Sequence, residues 1–421
     1  MLSWASRFNI CCFLDNHLYE LPSHSVECLL GVGSAGSIRA QAGNAFDQLE
    51  EFTAHHRDWL FGHFGYDLAA ETEPVPAGGI SLPPGQNEPA DPIGFPDLFF
   101  FIPATVIELN RTSIRIGCLD LDPALVWDAI LREQPETPSP HPPRLPPFQA
   151  RFSRVEYLDT IQALRQHILR GDCYEINFCQ EFFSHPARID PLQTWFALSE
   201  ASPSPFSAFY RLDEKYLLCA SPERYLRRTG DTLISEPIKG TSPRFPGDPA
   251  ADIASREKLY HSAKDRSENV MVVDLVRNDL SRICLPDSVR VEELYGIYSF
   301  PQVHQMISTI KGRLVPGTGF AAAIRATFPM GSMTGAPKNR VVGLIRQYER
   351  TRRGIFSGAV GYCRPEGDFD LNVVIRSILY NQEASYLSYL VGSGITFYSD
   401  PVQEYEECML KAEGMKKALQ I

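Results

Sequence analysis

Several broad classes are excluded by what this chain lacks. No apolar run reaches the length of a membrane span, so no membrane-embedded part is expected. The start, Met1-Leu2-Ser3-Trp4-Ala5, shows no basic segment with a long apolar stretch behind it, and no signal peptide is expected. Positive charge is in deficit, with 40 Lys and Arg against 51 Asp and Glu and a net charge of −11. That balance argues against a nucleic-acid partner. It also means that an anionic ligand must be held by locally placed cations and not by the overall field. None of the ten cysteines forms a Cys-x-x-Cys pair, and Cys11, Cys12, Cys219 and Cys284 lie in apolar runs. The pattern is that of reduced, mostly buried thiols in a cytoplasmic protein. There are no internal repeats.

What is present is ordinary globular material. The 421 residues, 44% hydrophobic and 22% charged, suffice for one large domain or two. Prolines gather between Pro74 and Pro96 and again between Pro135 and Pro147. The first cluster reads as a long surface loop. The second reads as an extended connector, which divides the chain into residues 1–133, a linker at 134–149 and a main domain at 150–421. Beyond residue 150, apolar spacing predicts a helix over 155–169, with Leu158, Ile161, Leu164, Ile168 and Leu169 on one side. Thr334 is expected to cap a helix through Val341, Leu344, Ile345 and Tyr348, and Asp400-Pro401 to start the last helix. Segments 355–363, 371–379 and 386–391 are rich in β-branched and aromatic residues and read as strands. Short links favour antiparallel pairing, so the fold class expected is α+β, with large antiparallel sheets and flanking helices.

Chemistry-bearing residues concentrate in the same part. Lys239 stands in Pro237-Ile238-Lys239-Gly240-Thr241, and Glu223 precedes it in Ser221-Pro222-Glu223-Arg224. An amine that can lose its proton and an acid that can protonate a leaving hydroxyl make a plausible pair. Gly230-Asp231 suggests a hairpin between them. A two-residue loop would put Lys239 on the face opposite Glu223; a three-residue loop, the register expected here, would set them directly across from each other. Glu404, Glu407 and Lys411 share one face of the last helix, and Asp265 and Glu268 share a face of an earlier one. Facing acidic pairs suit magnesium, a hard cation that keeps some of its waters. Gly392-Ser393-Gly394 reads either as an anion-binding nest or as a plain glycine turn. Arg376, on a strand expected to alternate from Leu371, would face a cleft and clamp a carboxylate, with Tyr362 nearby. Gly331 to Lys338 resembles a phosphate loop but fails the pattern, since Asn339 stands where Ser or Thr is required. His304 is a lone histidine, structural as readily as catalytic.

Taken together these segments resemble the chorismate-utilising enzymes, the family that includes anthranilate synthase component I. The resemblance covers roughly residues 150–421 and is carried in order by Gly171-Asp172-Cys173-Tyr174, Ser221-Pro222-Glu223-Arg224, Pro237-Ile238-Lys239-Gly240-Thr241, Lys264-Asp265-Arg266, Glu268-Asn269, Gly331-Ser332-Met333-Thr334-Gly335-Ala336-Pro337-Lys338, Ile375-Arg376-Ser377, Gly392-Ser393-Gly394 and Asp400-Pro401. It implies that Glu268 and Glu407 hold Mg2+ on the ring carboxylate, with Glu404 and Asp265 behind them through water. Arg376, Tyr362, Lys411, Thr241, Thr334 and the backbone of Gly392, Ser393 and Gly394 would bind substrate. Lys239, Glu223 and His304 would form the catalytic set, with Lys239 adding as a free amine at ring carbon 2 and Glu223 protonating the departing hydroxyl. Lysine before Gly-Thr resembles members that aminate chorismate at ring carbon 4; anthranilate-forming members resemble Ala-Gly-Thr. No cysteine lies in a Gly-x-Cys-x-Gly elbow, so a separate glutamine amidotransferase subunit is implied as the ammonia source. Glu175 departs from the glutamine common in amine-transferring members, and reads as an ammonium ligand or as the mark of a sub-lineage. The alternatives are anthranilate-type chemistry, isochorismate formation with water, and a non-catalytic chorismate-binding subunit.

Overall fold

Two antiparallel sheets take their strands from the whole length of the chain. The structure, a computed structural model, describes residues 1–19, 27–74, 89–133, 145–301 and 303–421. Among these, the larger sheet has 11 strands. Its order runs Gly335–Ala336, Glu175–Ser184, Tyr386–Thr396, Ser377–Asn381, Lys215–Ser221, Phe206–Leu212, Ile10–Asp15, Cys28–Val32, Thr105–Asn110 and Ser113–Cys118, with Gln149–Ala150 also beside Glu175–Ser184. The second sheet has 10 strands. Its order is Ile238–Pro243, Val303–Arg313, Thr232–Glu236, Arg224–Thr229, Phe369–Val373, Ala359–Cys363, Leu60–Phe64, Leu98–Ile102 and Gly36–Ala40, with Arg290–Ser299 also beside Val303–Arg313. The α+β class with large antiparallel sheets is the one expected.

Both sheets mix strands from before and after the proline-rich stretch. The division at 134–149 therefore marks a change along the chain and not a border between two bodies. Residues 134–144 of that stretch, and 75–88 of the earlier proline cluster, lie outside the described residues.

The strand Lys215–Ser221 shows how side-chain alternation builds two cores. Leu217 and Cys219 point into a cluster that joins both sheets to the helices Ala45–His55, Ala263–Ser281 and Phe320–Thr327. Leu218 and Ala220 point the other way, into a cluster with Arg154–Leu169, Pro191–Ala201, Lys338–Tyr348 and Pro401–Leu419. All ten cysteines are free, and Cys28 and Cys118 alone are partly exposed. Among the described residues no helix is long and apolar enough to cross a membrane.

The helices follow their end signals closely. Arg154–Leu169 begins at a capping box, Ser153 with Glu156. Its buried face holds Tyr157, Ile161, Leu164 and Ile168, while Leu169 is exposed. Asp400 accepts from the N–H groups of Val402 and Gln403, and Pro401 opens the last helix as expected. Thr334 is not a cap. The helix Lys338–Tyr348 starts after Pro337, and Thr334 donates its hydroxyl to Met330 O at 3.0 Å. Pro337 keeps the residue before it extended, and Gly335–Ala336 pair with Glu175 and Ile176 instead.

Candidate active site

The site lies where the chain crosses between sheets. Lys215–Ser221 leaves the larger sheet and re-enters the second as Arg224–Thr229, with Pro222 and Glu223 at the crossing. Phe369–Val373 makes the reverse crossing to Ser377–Asn381, with Arg376 at its corner. The crossings are bonded together: Val373 N donates to Glu223 O at 3.0 Å and Ala220 N to Arg376 O at 3.2 Å. A corner of this kind demands a sharp bend, and Arg376 takes it with φ at +49°. The unbroken strand expected through residue 376 therefore stops at Val373, and it is the corner that turns Arg376 toward Glu223.

Glu223 is buried. Burial pushes its carboxyl up to about 7, against the opposing pull of Ser332, Lys239, the Ile238 N–H and Arg376. The Ser332 hydroxyl approaches this carboxyl without closing a full hydrogen bond. Burial also weakens the Arg376 charge, which Glu223 and Tyr19 support. Among the described residues the Arg376 side chain makes no hydrogen bond or ion pair, so its fork is free for an anion.

Lys239 arrives by a route the sequence did not disclose. Thr229 pairs with Thr232, so the hairpin has a two-residue loop, and a bulge then shifts the register to Arg224 against Glu236. After Pro237 the chain begins a new strand, Ile238–Pro243, which pairs with Val303–Arg313 and is bulged between Ile238 and Thr241. Bulges re-aim side chains, and this one carries Lys239 and Gly240. Gly240 has φ at +95°, and a Cβ there would sit 3.0 Å from Cβ of Asp265. Lys239 and Glu223 thus meet at a crossing and a bulge, not across one ladder. Lys239 Nζ donates to Glu175 Oε1 at 2.5 Å, both side chains being nearly inaccessible. Burial would lower the lysine pKa, but Glu175, Glu268 and Glu223 together outweigh it and the ammonium is favoured. Lys239 is therefore not a free amine at rest, and the carboxylate that holds its charge most strongly is Glu175, not Glu223.

Two acidic helices face this centre. Ser262 caps Ala263–Ser281, which carries Asp265 and Glu268; Pro401–Leu419 carries Glu404, Glu407 and Lys411. Lys264 spans the gap, with Nζ 3.3 Å from Glu404 Oε1 and 3.9 Å from Glu268 Oε1. Burial pushes Glu268 up to about 7, while Lys411, 2.7 Å away, draws Glu407 below the usual carboxylate range. Oε1 of Glu268 and Oε2 of Glu404 are buried and lack hydrogen-bond partners. Orphaned hard oxygens beside a bridging ammonium fit a divalent cation that keeps several waters. Among the described residues no three His, Cys, Asp or Glu side chains converge into a closed ligand cage.

The glycine run is not a nest. Gly392, Ser393 and Gly394 continue the strand Tyr386–Thr396, paired with Cys179, Phe178 and Asn177. Ser393 turns away into the core, 3.4 Å from the Tyr157 hydroxyl. On its other side this strand pairs with Ser377–Asn381 through Tyr386 to Tyr389 and no further. The edge beyond is open, and Lys411 Nζ donates there to Gly392 O at 2.9 Å. A Cβ on Gly394 would lie 2.7 Å from Lys239 Nζ and 3.0 Å from Glu175 Oε1.

Four expected site residues stand elsewhere or are engaged otherwise. Tyr362 packs against Trp59 and Phe61 and lines a separate cavity with Asp370 and Asn372, because its strand, Ala359–Cys363, points it away from the crossing. His304 is buried with both ring nitrogens engaged, Nδ1 with Ser299 Oγ at 2.8 Å and Nε2 with Asp252 Oδ1 at 3.2 Å. That is a structural histidine with no nitrogen to spare for proton transfer. The Thr334 hydroxyl is spent on the backbone. Thr241 is exposed, paired with Gln305. Conversely, Ser332, Lys264 and the pairing of Glu175 with Lys239 were not foreseen. Glu175 was visible as an unusual carboxylate, but its partner is 64 residues away.

A buried acid, a bulged lysine, a free arginine fork and two facing acidic helices on two antiparallel sheets define a chorismate binding enzyme. The model of that family matches residues 15–417, and the chain belongs to it. An aminodeoxychorismate synthase of Streptomyces pristinaespiralis is 36% identical over 92% of this chain, which spans 56% of that relative. Aminodeoxychorismate synthase component 1 of Klebsiella aerogenes is 37% identical over 82% of this chain and 74% of its own. The component 1 protein of Escherichia coli K12 is 33% identical over 89% and 81%. In fold, the chain is similar to anthranilate synthase component I from Streptococcus pneumoniae TIGR4, with a TM-score of 0.79, 24% identity, and 94% and 93% of the two chains covered. The isochorismate synthase MenF of E. coli superposes with a TM-score of 0.77 at 18% identity, covering 100% of this chain and 91% of its own.

Proposed function

We infer that this chain aminates chorismate at ring carbon 4, giving 4-amino-4-deoxychorismate with the enolpyruvyl group retained. The observation that carries this reading is that Lys239, on a bulge, and Glu223, a protonatable carboxyl at a sheet crossing, lie near enough for each to influence the other's charge. The names of the relatives support the same activity. Chorismate is a dianion with an allylic hydroxyl at carbon 4. Arg376 and Lys411 take its carboxylates, together with the open backbone edge beyond Tyr389. Lys239 adds at ring carbon 2 as the double bond shifts, and Glu223 gives its proton to the departing hydroxyl. Ammonia then attacks carbon 4 and the lysine leaves, so one hard substitution becomes two easier ones. Mg2+, held by Glu268 and Glu407 with Glu404 and Asp265 behind them, would orient the ring carboxylate and neutralise its charge. Ammonia comes from a glutamine amidotransferase partner, consistent with relatives designated component 1.

The test is turnover of chorismate by the purified chain with ammonium and Mg2+, the product identified by mass spectrometry. The expected product is 4-amino-4-deoxychorismate, and Lys239→Ala is expected to reduce its formation to near background. Fluorescent anthranilate with released pyruvate as the main wild-type product would overturn the reading, and an unchanged rate in K239A would refute the covalent role of Lys239.

A further inference from the structure

We propose that Glu175 is the base that takes the proton from Lys239 Nζ before that amine attacks the ring. The proposal rests on the activity inferred above and deepens it.

The lysine must lose a proton to act as a nucleophile, and the proton must have a destination. The charged groups around Nζ are Glu175 on its strand, Glu223 at the crossing, Glu268 on one acidic helix, and Glu407 and Lys411 on the other. Glu223 is needed in its protonated form as the acid. Glu268 and Glu407 are committed to the cation, and Lys411 is itself an ammonium. Glu175 remains, and it is the carboxylate within ion-pair distance of Nζ, at 2.5 Å.

Its second oxygen points the same way. Glu175 is 1% exposed, and its Oε2 is buried without a hydrogen-bond partner. That oxygen is an acceptor with nothing on it, so the carboxyl has an open position for a proton. When substrate displaces the remaining water, both charges of the pair lose solvation together, which favours the neutral amine with the neutral acid. The geometry is held from both sides. Glu175 is pinned between Thr396 and Ala336 in the sheet, and Gly394 lacks the Cβ that would intrude on the pair.

The proton balance closes. Glu175 takes a proton from Nζ; the neutral amine forms its bond to carbon 2; the carbon–oxygen bond at carbon 4 breaks, and the oxygen leaves as water with the proton of Glu223. Ammonia then bonds to carbon 4, and the carbon–nitrogen bond at carbon 2 breaks with its electron pair returning to Nζ. Glu175 returns its proton to the lysine, and the new ammonium at carbon 4 returns one to Glu223. The sum is chorismate plus ammonia to aminodeoxychorismate plus water.

The test is the pH dependence of single-turnover loss of the carbon 4 hydroxyl. The ion pair and the neutral pair contain the same number of protons, so in the wild type the reactive form does not vary with pH. With Mg2+ saturating at every pH, so that Glu268 stays ionised, the rate is expected to be level below pH 7, where Glu223 stays protonated. In Glu175→Gln the lysine must lose its proton to solvent, so the rate is expected to fall and to rise about tenfold per pH unit between about pH 5.5 and 7. A Glu175→Gln profile parallel to the wild type, whatever its absolute rate, overturns the proposal. A wild-type rate that itself climbs tenfold per unit in that range overturns it without any variant, which covers the case where Glu175→Gln fails to fold. K239A and product analysis separate the levels: if the wild-type product is not 4-amino-4-deoxychorismate, the inferred activity falls; if K239A is as active as wild type, the covalent role of Lys239 falls and the role of Glu175 with it; if K239A is inactive and E175Q parallels wild type, the role of Glu175 alone falls.

Discussion

In the proposed reaction Glu223 is the residue on which proton delivery turns. Its pKa is raised to about 7 chiefly by burial, so it is protonated below that pH and ionised above it. An acid catalyst is lost as it ionises, and the wild-type rate is therefore expected to fall as pH rises above about 7. Glu223→Gln keeps the shape but has no acidic proton, and its kcat is expected to drop by about 10²–10⁴-fold, with the alkaline fall abolished. An unchanged profile in this variant would assign the proton donor elsewhere. The residue types of this site were readable along the chain: lysine, glutamates and arginine stood out by their company. Their protonation states were not. Whether Lys239 rests as an amine or an ammonium depends on Glu175, and that contact exists because two distant strands meet.

At the scale of elements, one buried ion pair ties the site together. Arg353 and Glu349 meet at 2.6 Å, each nearly inaccessible. Arg353 also donates to Met333 O at 2.7 Å and Asn177 O at 2.8 Å, and Glu349 accepts from Cys179 N at 2.9 Å. The pair thereby joins the turn that presents Ser332 to the strand that presents Glu175. Removing one partner of such a pair leaves an uncompensated buried charge, so Arg353→Leu is expected to cost about 3–5 kcal/mol, measured by denaturant unfolding. A loss under about 1 kcal/mol would mean that the two elements hold their positions independently. Helix ends were legible because caps are local, as Ser153 and Asp400 show. The strand through Arg376 was not, since alternation of apolar residues carries no mark of the corner where a chain changes sheets.

For the whole molecule, the decisive fact is that both sheets are shared. Ile10–Asp15 lies between Phe206–Leu212 and Cys28–Val32, and Leu60–Phe64 lies against Ala359–Cys363. Residues 150–421 expressed alone would expose the edges of both sheets and the apolar faces that Phe61, Phe99 and Phe101 cover. That fragment is expected to aggregate or to lack a cooperative unfolding transition, and co-expression with residues 1–133 is expected to restore one. A fragment that unfolds cooperatively by itself would show the first third to be dispensable for the core.

By itself the sequence determined the kind of chemistry and the class of fold. Strand and helix periodicities are local properties, and the order of motifs such as Pro237-Ile238-Lys239-Gly240-Thr241 survives being read in a line. The tertiary structure alone decided which groups touch. It moved Tyr362 and His304 out of the site, replaced a hairpin register by a bulge, and set Glu175 against Lys239. Each of these depends on register, sheet crossing and burial, where a shift of one residue turns a side chain to the other face and a few ångströms of lost water change which groups hold their protons.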